Sequence, residues 1–191
     1  MVQNPARRAA LVNAAVEVLA REGARGLTFR AVDVEAGVPN GTASNYFVNR
    51  DDLLNQVGGQ IHLRLGPDPA QLAVTMRAPR KRELVETLMH QLMARIERDP
   101  AGYLALQELR LEATRRPELR AALTGTLQAN FDASVQFHVD SGLPGGAETV
   151  ALLYLAMTGL VIEHLTLPEA MRPFAAKDLV PELVRRIVPE E

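Results

Sequence analysis

The sequence predicts an all-α fold, with a small N-terminal three-helix unit followed by a larger C-terminal helical domain. Apolar residues recur at the three- and four-residue spacing of amphipathic helices, and no segment alternates as a strand would. Proline and glycine clusters separate these helical stretches. With 191 residues, 47% of them apolar, the chain can bury one sizeable core, or a small module attached to a larger one.

Four helices are predicted in the first 65 residues, at about residues 5–23, 28–36, 40–47 and 50–65. Asn4 and Asn49 are placed as N-caps of the first and fourth helices, and Thr28 as the N-cap of the second. Gly23 and Gly26 mark the end of the first helix, and Gly37 stops the second because glycine tolerates the left-handed conformation of a helix C-terminus.

Five further helices are predicted at about residues 80–98, 101–115, 117–140, 147–167 and 178–188. The segment 147–167 is apolar almost all round, so both of its faces are expected to be buried. Its longest apolar stretch has 14 residues, which is too short to span a bilayer. A second copy of the chain would cover one face economically. We therefore expect a homodimer formed through the last two helices, with Leu155 and Ile162 in the interface.

Charge and composition narrow the function only weakly. The net charge is −2, but residues 1–50 hold six arginines and four acids, whereas the remainder holds 15 basic and 19 acidic residues. A basic N-terminal module can still bind DNA, because the local field near phosphate dominates. The absence of cysteine excludes disulfides and thiolate zinc sites. No secretory signal pattern opens the chain, which favours a cytoplasmic protein without a membrane partner.

The segment from Thr28 to Leu54 is the most informative part of the chain. It predicts a short helix, a turn at Gly37, a second short helix, an aromatic plug and a capped third helix, which is the layout of a helix-turn-helix DNA-binding unit. Four apolar side chains are placed to pack the small core that fixes the angle between the two short helices: Val32, Ala36, Val38 and Phe47.

The N-terminal 55 residues resemble the DNA-binding domain of the TetR family of transcriptional regulators. The remaining 135 or so residues match that family only in length and helix pattern. The resemblance implies a DNA-binding domain over residues 1–50 and a ligand-binding and dimerisation domain over residues 51–191. The shared pattern is Thr28, Arg30, Val32, Ala36-Gly37-Val38, Gly41-Thr42, Asn45-Tyr46-Phe47, Arg50 and Leu53-Leu54.

The second short helix of the motif is expected to contact DNA. Its N-terminal amides at Gly41 and the Thr42 hydroxyl suit a phosphate oxygen. The resemblance implies a phosphate contact for Tyr46, whose alternative is a half-buried core tyrosine. Arg50 resembles a position that clamps the DNA backbone, and Arg30 could bind phosphate or pair with Asp33. The short polar side chains able to reach base edges are those of Asn40, Ser44 and Asn45. With the helix cap included, the predicted DNA-binding residues are Thr28, Arg30, Asn40, Gly41, Thr42, Ser44, Asn45, Tyr46 and Arg50.

Four residues depart from the family pattern. Asp33 stands where a small residue is common, and a carboxylate near the duplex would repel phosphate. Pro39 replaces a serine-type cap, and Ala43-Ser44 replaces a leucine and an aromatic residue. These departures leave the predicted fold unchanged but bear on DNA affinity and on the operator.

The segment 117–140 carries the main candidate for a ligand site. Polar residues interrupt its apolar face at four-residue spacing, and buried polar groups need partners. One interpretation is hydrogen bonding between helices or a dimer seam, and the other is the wall of a largely apolar pocket. Two methionines on the predicted helix 80–98 could line the other side or simply belong to the core. The predicted ligand-binding residues are Met89, Met93, Thr126, Asn130 and Phe131.

The favoured hypothesis is a homodimeric, sequence-specific transcriptional regulator that represses a near-palindromic operator in double-stranded DNA until a small-molecule effector releases it. No cofactor and no metal site are expected, since the four histidines lack metal-ligand spacing. No catalytic constellation is recognisable, so an enzyme is not expected. The alternatives are a small helical enzyme, or a helical sensor or interaction protein that has lost DNA binding.

Overall fold

A computed structural model describes residues 4–190 of the chain, which form nine α-helices and three short 3-10 helices without any strand. The α-helices are α1 (Pro5–Gly26), α2 (Phe29–Glu35), α3 (Arg50–Leu65), α4 (Pro69–Thr75), α5 (Arg82–Arg98), α6 (Pro100–Ala113), α7 (Pro117–Asp140), α8 (Ala147–Thr166) and α9 (Val180–Ile187). The 3-10 helices are Ala43–Asn45, Pro168–Met171 and Ala176–Leu179. The predicted all-α fold is confirmed.

Local capping explains where the first helices begin. The Asn4 side chain accepts hydrogen bonds from the first-turn amides of α1, and Thr28 and Asn49 do the same for α2 and α3. All three predicted N-caps are therefore confirmed. Gly23 has a φ of 68° and breaks α1 three residues before the helix ends at Gly26. The helix is therefore broken at the first of the two predicted glycines and ends at the second.

The chain divides into two compact units. The first unit contains the residues up to Gly66 together with Asp99–Gln128. In this unit α1 packs against α2, α3 and α6, and α3 also packs against α6. Its core is a continuous cluster of buried aliphatic side chains from these helices and the start of α7, closed by Phe47. In this unit α6 and the start of α7 share a core with the first three helices. The predicted boundary between a DNA-binding domain and a ligand-binding domain at residue 50 stays a prediction.

The second unit contains Pro67–Arg98 and the residues from Ala129 onward. Here α5, α8 and α9 pack against one another. The buried side chains of α9 and its end are Val180, Val184 and Val188. These valines are buried inside the chain, so the participation of the last helix in a dimer interface stays a prediction.

Helix α8 is buried on one face only. Leu153 is 5% exposed, whereas Leu155 is 66% exposed and Leu152 47%. The prediction that both faces are buried therefore fails within a single chain. By length and composition α8 could also cross a membrane, contrary to the expectation from its shorter apolar stretch. Its buried face packs against α5 and α9, as a core helix of a folded domain does.

Candidate nucleic-acid interface

The helix-turn-helix segment is built on α2 and the turn that follows it. Gly37 ends α2 with a φ of 63°, which confirms the predicted left-handed turn. The predicted helix over residues 40–47 is instead one turn of 3-10 helix, Ala43–Asn45. We call residues 39–46 the recognition turn.

Apolar packing holds this segment in place. Val32 and Phe47 are almost completely buried, and Ala36 and Val38 pack against the same core. The ring of Phe47 stacks on Phe29 with centroids 6.3 Å apart. The four residues predicted to pack this core are thus confirmed in that role.

Asp33 does not face outward, contrary to the expected repulsion of phosphate. Its carboxylate is buried, with the residue only 1% exposed. Oδ2 accepts a hydrogen bond of 2.7 Å from the Gly41 amide, and Oδ1 accepts one of 2.7 Å from the Ala43 amide. The suggested pairing of Asp33 with Arg30 is also wrong, since both carboxylate oxygens bind amides and Arg30 lies exposed.

The amides at the start of the recognition turn are occupied inside the protein. The Gly41 and Ala43 amides donate to Asp33, and the Thr42 amide donates to the Pro39 carbonyl at 3.1 Å. The Thr42 hydroxyl donates to the same carbonyl. The expectation that the Gly41 amide is open to phosphate is therefore wrong for this conformation, and the Thr42 hydroxyl could still accept or exchange a hydrogen bond.

Three residues predicted to read bases are exposed on one short stretch of chain: Asn40, Ser44 and Asn45. The Ser44 hydroxyl and the Asn45 Nδ2 both donate to the Gly41 carbonyl, at 2.8 and 3.0 Å. Base edges would compete with this carbonyl for the same donors. The structure thus brings Ser44 and Asn45 together, with their polar groups turned back on the recognition turn.

Tyr46 is half-buried at the end of the recognition turn. The Arg8 guanidinium lies over its ring, 5.8 Å from the centroid, and 5.5 Å from that of Phe47. Arg8 also donates to Gln56 at 2.8 Å. Sequence reasoning missed Arg8, although the Arg7-Arg8 pair at the start of α1 was a visible signal.

Arg50 lies at the start of α3 and is partly buried. One of its terminal nitrogens donates to the Ala24 carbonyl, and its Nε is buried without a partner. The amide of Ala24 donates to the Glu108 carboxylate of α6 at 3.1 Å. A single residue, Ala24, therefore connects α6 to the predicted DNA-clamping arginine.

A surface cleft of about 250 Å³ brings two predicted residues, Thr28 and Arg50, together with Arg25. The Thr28 hydroxyl oxygen accepts a hydrogen bond from the Ala31 amide at 3.1 Å as the cap of α2. Two guanidinium groups and a hydroxyl around one cleft suit an anionic oxygen. Arg25 was not predicted, and its position in the last turn of α1 was the available signal.

A charged network joins α6 to α3. Arg116, just beyond α6, binds Glu112 at 2.6 Å and Asp51 at 2.7 Å. The hydrogen bond from Arg116, assisted by a second from Arg115, lowers the pKa of the Glu112 carboxyl. This network and Glu108 link α6 to the helices that carry the predicted DNA contacts.

The predicted ligand-binding residues divide between the two units. Thr126 falls in the first unit and donates its hydroxyl to the Ala122 carbonyl of its own helix. Met89, Met93, Asn130 and Phe131 fall in the second unit, where Met93 is buried and Asn130 is exposed. The ring of Phe131 packs edge-on against Tyr154 of α8, 5.9 Å between centroids.

An open cleft of about 370 Å³ lies at the turn from α6 to α7, and sequence reasoning did not find it. It is lined by Ala113, Thr114, Pro117, Arg120, Ala121 and Thr124. None of the predicted ligand-binding residues is among them. No periodic signal marked this cleft, because a helix-to-helix turn forms it.

Comparison with known protein families identifies the chain. Residues 11–57 match the family described as bacterial regulatory proteins, tetR family. Residues 80–190 match the tetracyclin repressor-like C-terminal domain. The chain therefore belongs to the TetR family and is a transcriptional regulator with a helix-turn-helix DNA-binding domain. Because the family consists of transcriptional regulators, the two alternatives, a small helical enzyme and a helical sensor or interaction protein that has lost DNA binding, are not favoured.

Solved structures share the whole fold. A TetR-family member from Streptomyces coelicolor A3 is 24% identical, with 97% of this chain and 99% of that chain covered and a TM-score of 0.68. The multidrug binding protein EbrR, complexed with ethidium, is 24% identical, covering 97% and 100%, with a TM-score of 0.69. The regulator FadR from Bacillus subtilis, in complex with stearoyl-CoA, is 17% identical, covering 95% and 98%, with a TM-score of 0.67. No curated protein matches the sequence.

Proposed function

We propose that the protein binds a near-palindromic operator as a homodimer and represses transcription in the cytoplasm until a small-molecule effector releases it. The observation that supports operator recognition is the exposed polar recognition turn, held on a buried helix-turn-helix core. In this proposal Asn40, Ser44 and Asn45 read base edges in the major groove. To do so, Ser44 and Asn45 exchange the Gly41 carbonyl for acceptors on the bases.

Phosphate contacts surround these base-reading residues in the proposal. Thr42 and Tyr46 lie on the recognition turn itself, while Thr28 and Arg50 line the cleft that also contains Arg25. Such contacts position the protein without reading sequence. Arg30 is exposed on α2 and belongs to the same set.

Dimerisation is proposed through the outer face of α8, with α7 beside it. The exposed positions Leu152 and Leu155 fall on this face together with the partly exposed Ile162. On α7, Phe137 and Val139 are also exposed. An exposed apolar helix face marks an interaction site, and a two-fold dimer covers it with its own copy.

The effector is proposed to be a largely apolar small molecule bound in the C-terminal domain. Ethidium and stearoyl-CoA, bound by the similarly folded EbrR and FadR, both have large apolar portions. Met89, Met93 and Phe131 would supply apolar contacts, and Asn130 of the same unit a polar one, as in typical ligand pockets.

Release from DNA requires that the effector bind the DNA-incompetent conformation more tightly than the competent one. Helix α6 is the proposed transmitter. Glu108 accepts a hydrogen bond from the amide of Ala24, whose carbonyl accepts one from Arg50, and Arg116 joins Glu112 of α6 to Asp51 of α3. A shift of α6 would therefore disturb the phosphate-binding groups directly.

Selection of bound duplexes from a random pool tests the proposal. We expect a near-palindrome whose half-site centres are about 34–36 Å apart, or a multiple of that, as for other two-fold helix-turn-helix dimers. Binding should weaken as salt rises. Absence of salt-dependent binding to any duplex would contradict operator recognition, and a non-symmetric consensus would contradict the dimer.

A further inference from the structure

Asp33 is the most deeply buried charged residue in the described part of the chain. Removing a carboxylate from water is unfavourable unless it is fully hydrogen-bonded. Each Asp33 oxygen accepts one amide hydrogen bond of 2.7 Å, from Gly41 and from Ala43. Charge-assisted bonds of this length are among the stronger ones in proteins. The side chain is therefore committed to the recognition turn, eight and ten residues further along the chain.

The recognition turn has no cap of its own. Amides at the start of a helical turn need acceptors outside the turn. Thr42, the N-cap of the 3-10 helix Ala43–Asn45, forms no side-chain cap hydrogen bond. Residue 39, two positions before Gly41, is near enough in sequence to supply an acceptor, but Pro39 has no polar side chain. Its backbone carbonyl accepts from Thr42. The amides of Gly41 and Ala43 are left to Asp33.

We propose that Asp33 is the positioning residue of the recognition turn and that it replaces, from within α2, the side-chain cap that Pro39 cannot provide. Asp33 and Pro39, two of the residues that depart from the family pattern, are thereby one compensating pair. Asp33 fixes where Ser44 and Asn45 lie relative to α2, so it governs base preference without touching DNA. This inference rests on the proposed base-reading role of the turn.

The proposal and a simple charge-repulsion argument predict opposite changes in operator affinity when the Asp33 carboxylate is removed. If Asp33 acted as a negative charge near DNA, removing it would strengthen operator binding. As a cap, its removal leaves two amides without acceptors and lets the turn move, so binding weakens. Glu35 on the same helix is an exposed acid that pairs with Arg21 at 2.9 Å. Glu35→Ala removes the same charge without touching the recognition turn, and is the matched control.

The test compares Asp33→Ala, Asp33→Asn, Pro39→Ser, the double variant Asp33→Ala with Pro39→Ser, and Glu35→Ala. Operator affinity and preference among selected duplexes are measured for each. We expect Asp33→Ala to weaken binding roughly tenfold and to broaden base preference, the scale of losing a helix cap. Asp33→Asn should lie between, because it keeps one acceptor oxygen. Pro39→Ser should restore much of the loss in the double variant, since a serine hydroxyl at residue 39 can accept from the Gly41 amide.

Amide hydrogen exchange of Gly41 and Ala43 provides a readout independent of DNA. Both amides should be protected in the wild type and exposed in Asp33→Ala, and the Gly41 amide should recover protection in the double variant. If the wild type binds no duplex, operator recognition fails while this exchange pattern still supports or overturns the cap. Equal or tighter DNA binding by Asp33→Ala, a loss matched by Glu35→Ala, or no rescue by Pro39→Ser would overturn the proposal.

Discussion

The substitution Leu155→Ala tests the proposed dimer interface on the outer face of α8. Leu155 is 66% exposed in the single chain, so the truncation should barely change the stability of an isolated chain. In a two-fold dimer through α8, that exposed surface is buried twice. Leucine to alanine removes three carbon atoms, each worth about 0.8 kcal/mol when fully buried.

Scaled by the 66% of Leu155 that remains to be buried, the loss is about 1.6 kcal/mol per chain and about 3 kcal/mol per dimer. At about 1.4 kcal/mol per tenfold change, the dissociation constant should rise roughly 200-fold. Leu155→Arg should act more strongly, because it places a charge in an apolar seam.

Sedimentation equilibrium over nanomolar to high micromolar concentrations measures this change. The matched control is Leu153→Ala on the same helix, where the side chain is 5% exposed. That variant should lower the free energy of unfolding by about 2–5 kcal/mol through a cavity in the core of its own chain. A monomeric wild type at micromolar concentration, or a Leu155→Ala dimer as tight as the wild type, would refute the reasoning.

Three further outcomes are expected. Tyr46→Phe should weaken binding about equally on all duplexes, whereas Asn45→Ala should relax preference at particular base pairs by roughly 1–3 kcal/mol if its contact is bidentate. Competition among selected duplexes separates the two roles, and a loss on all duplexes alike for Asn45→Ala, or at particular base pairs only for Tyr46→Phe, would contradict them. Asn130→Leu should abolish the response to an effector while DNA affinity stays nearly unchanged. Titration of the operator complex with a panel of apolar small molecules would show this, and an undiminished response would remove Asn130 from the site. The hydrogen bond from Arg116 lowers the pKa of Glu112. The folding stability that this ion pair contributes is therefore present above the ordinary carboxyl pKa and is lost as the pH falls through the lowered pKa of Glu112. Glu112→Gln should therefore reduce stability at neutral pH and flatten this acid-side slope in denaturant titrations, and an unchanged slope would contradict the contribution.

Sequence alone determined the features that depend on neighbouring residues. The caps at Asn4, Thr28 and Asn49 follow from a side chain and the amides two or three residues later. The turn at Gly37 follows from the conformational freedom of glycine. These local rules, with the helical spacing of apolar residues, were sufficient for the all-α fold and the helix-turn-helix motif.

Tertiary structure decided whatever depended on residues distant in sequence. The charge of Asp33 looked like a repulsion near DNA until the fold placed two amides against it. Arg50 looked free to clamp the backbone, but the fold brings the Ala24 carbonyl to it. Apolar periodicity could not separate α8, which keeps an exposed face, from α9, whose valines are buried, because periodicity records that a face is apolar and only packing determines what covers it.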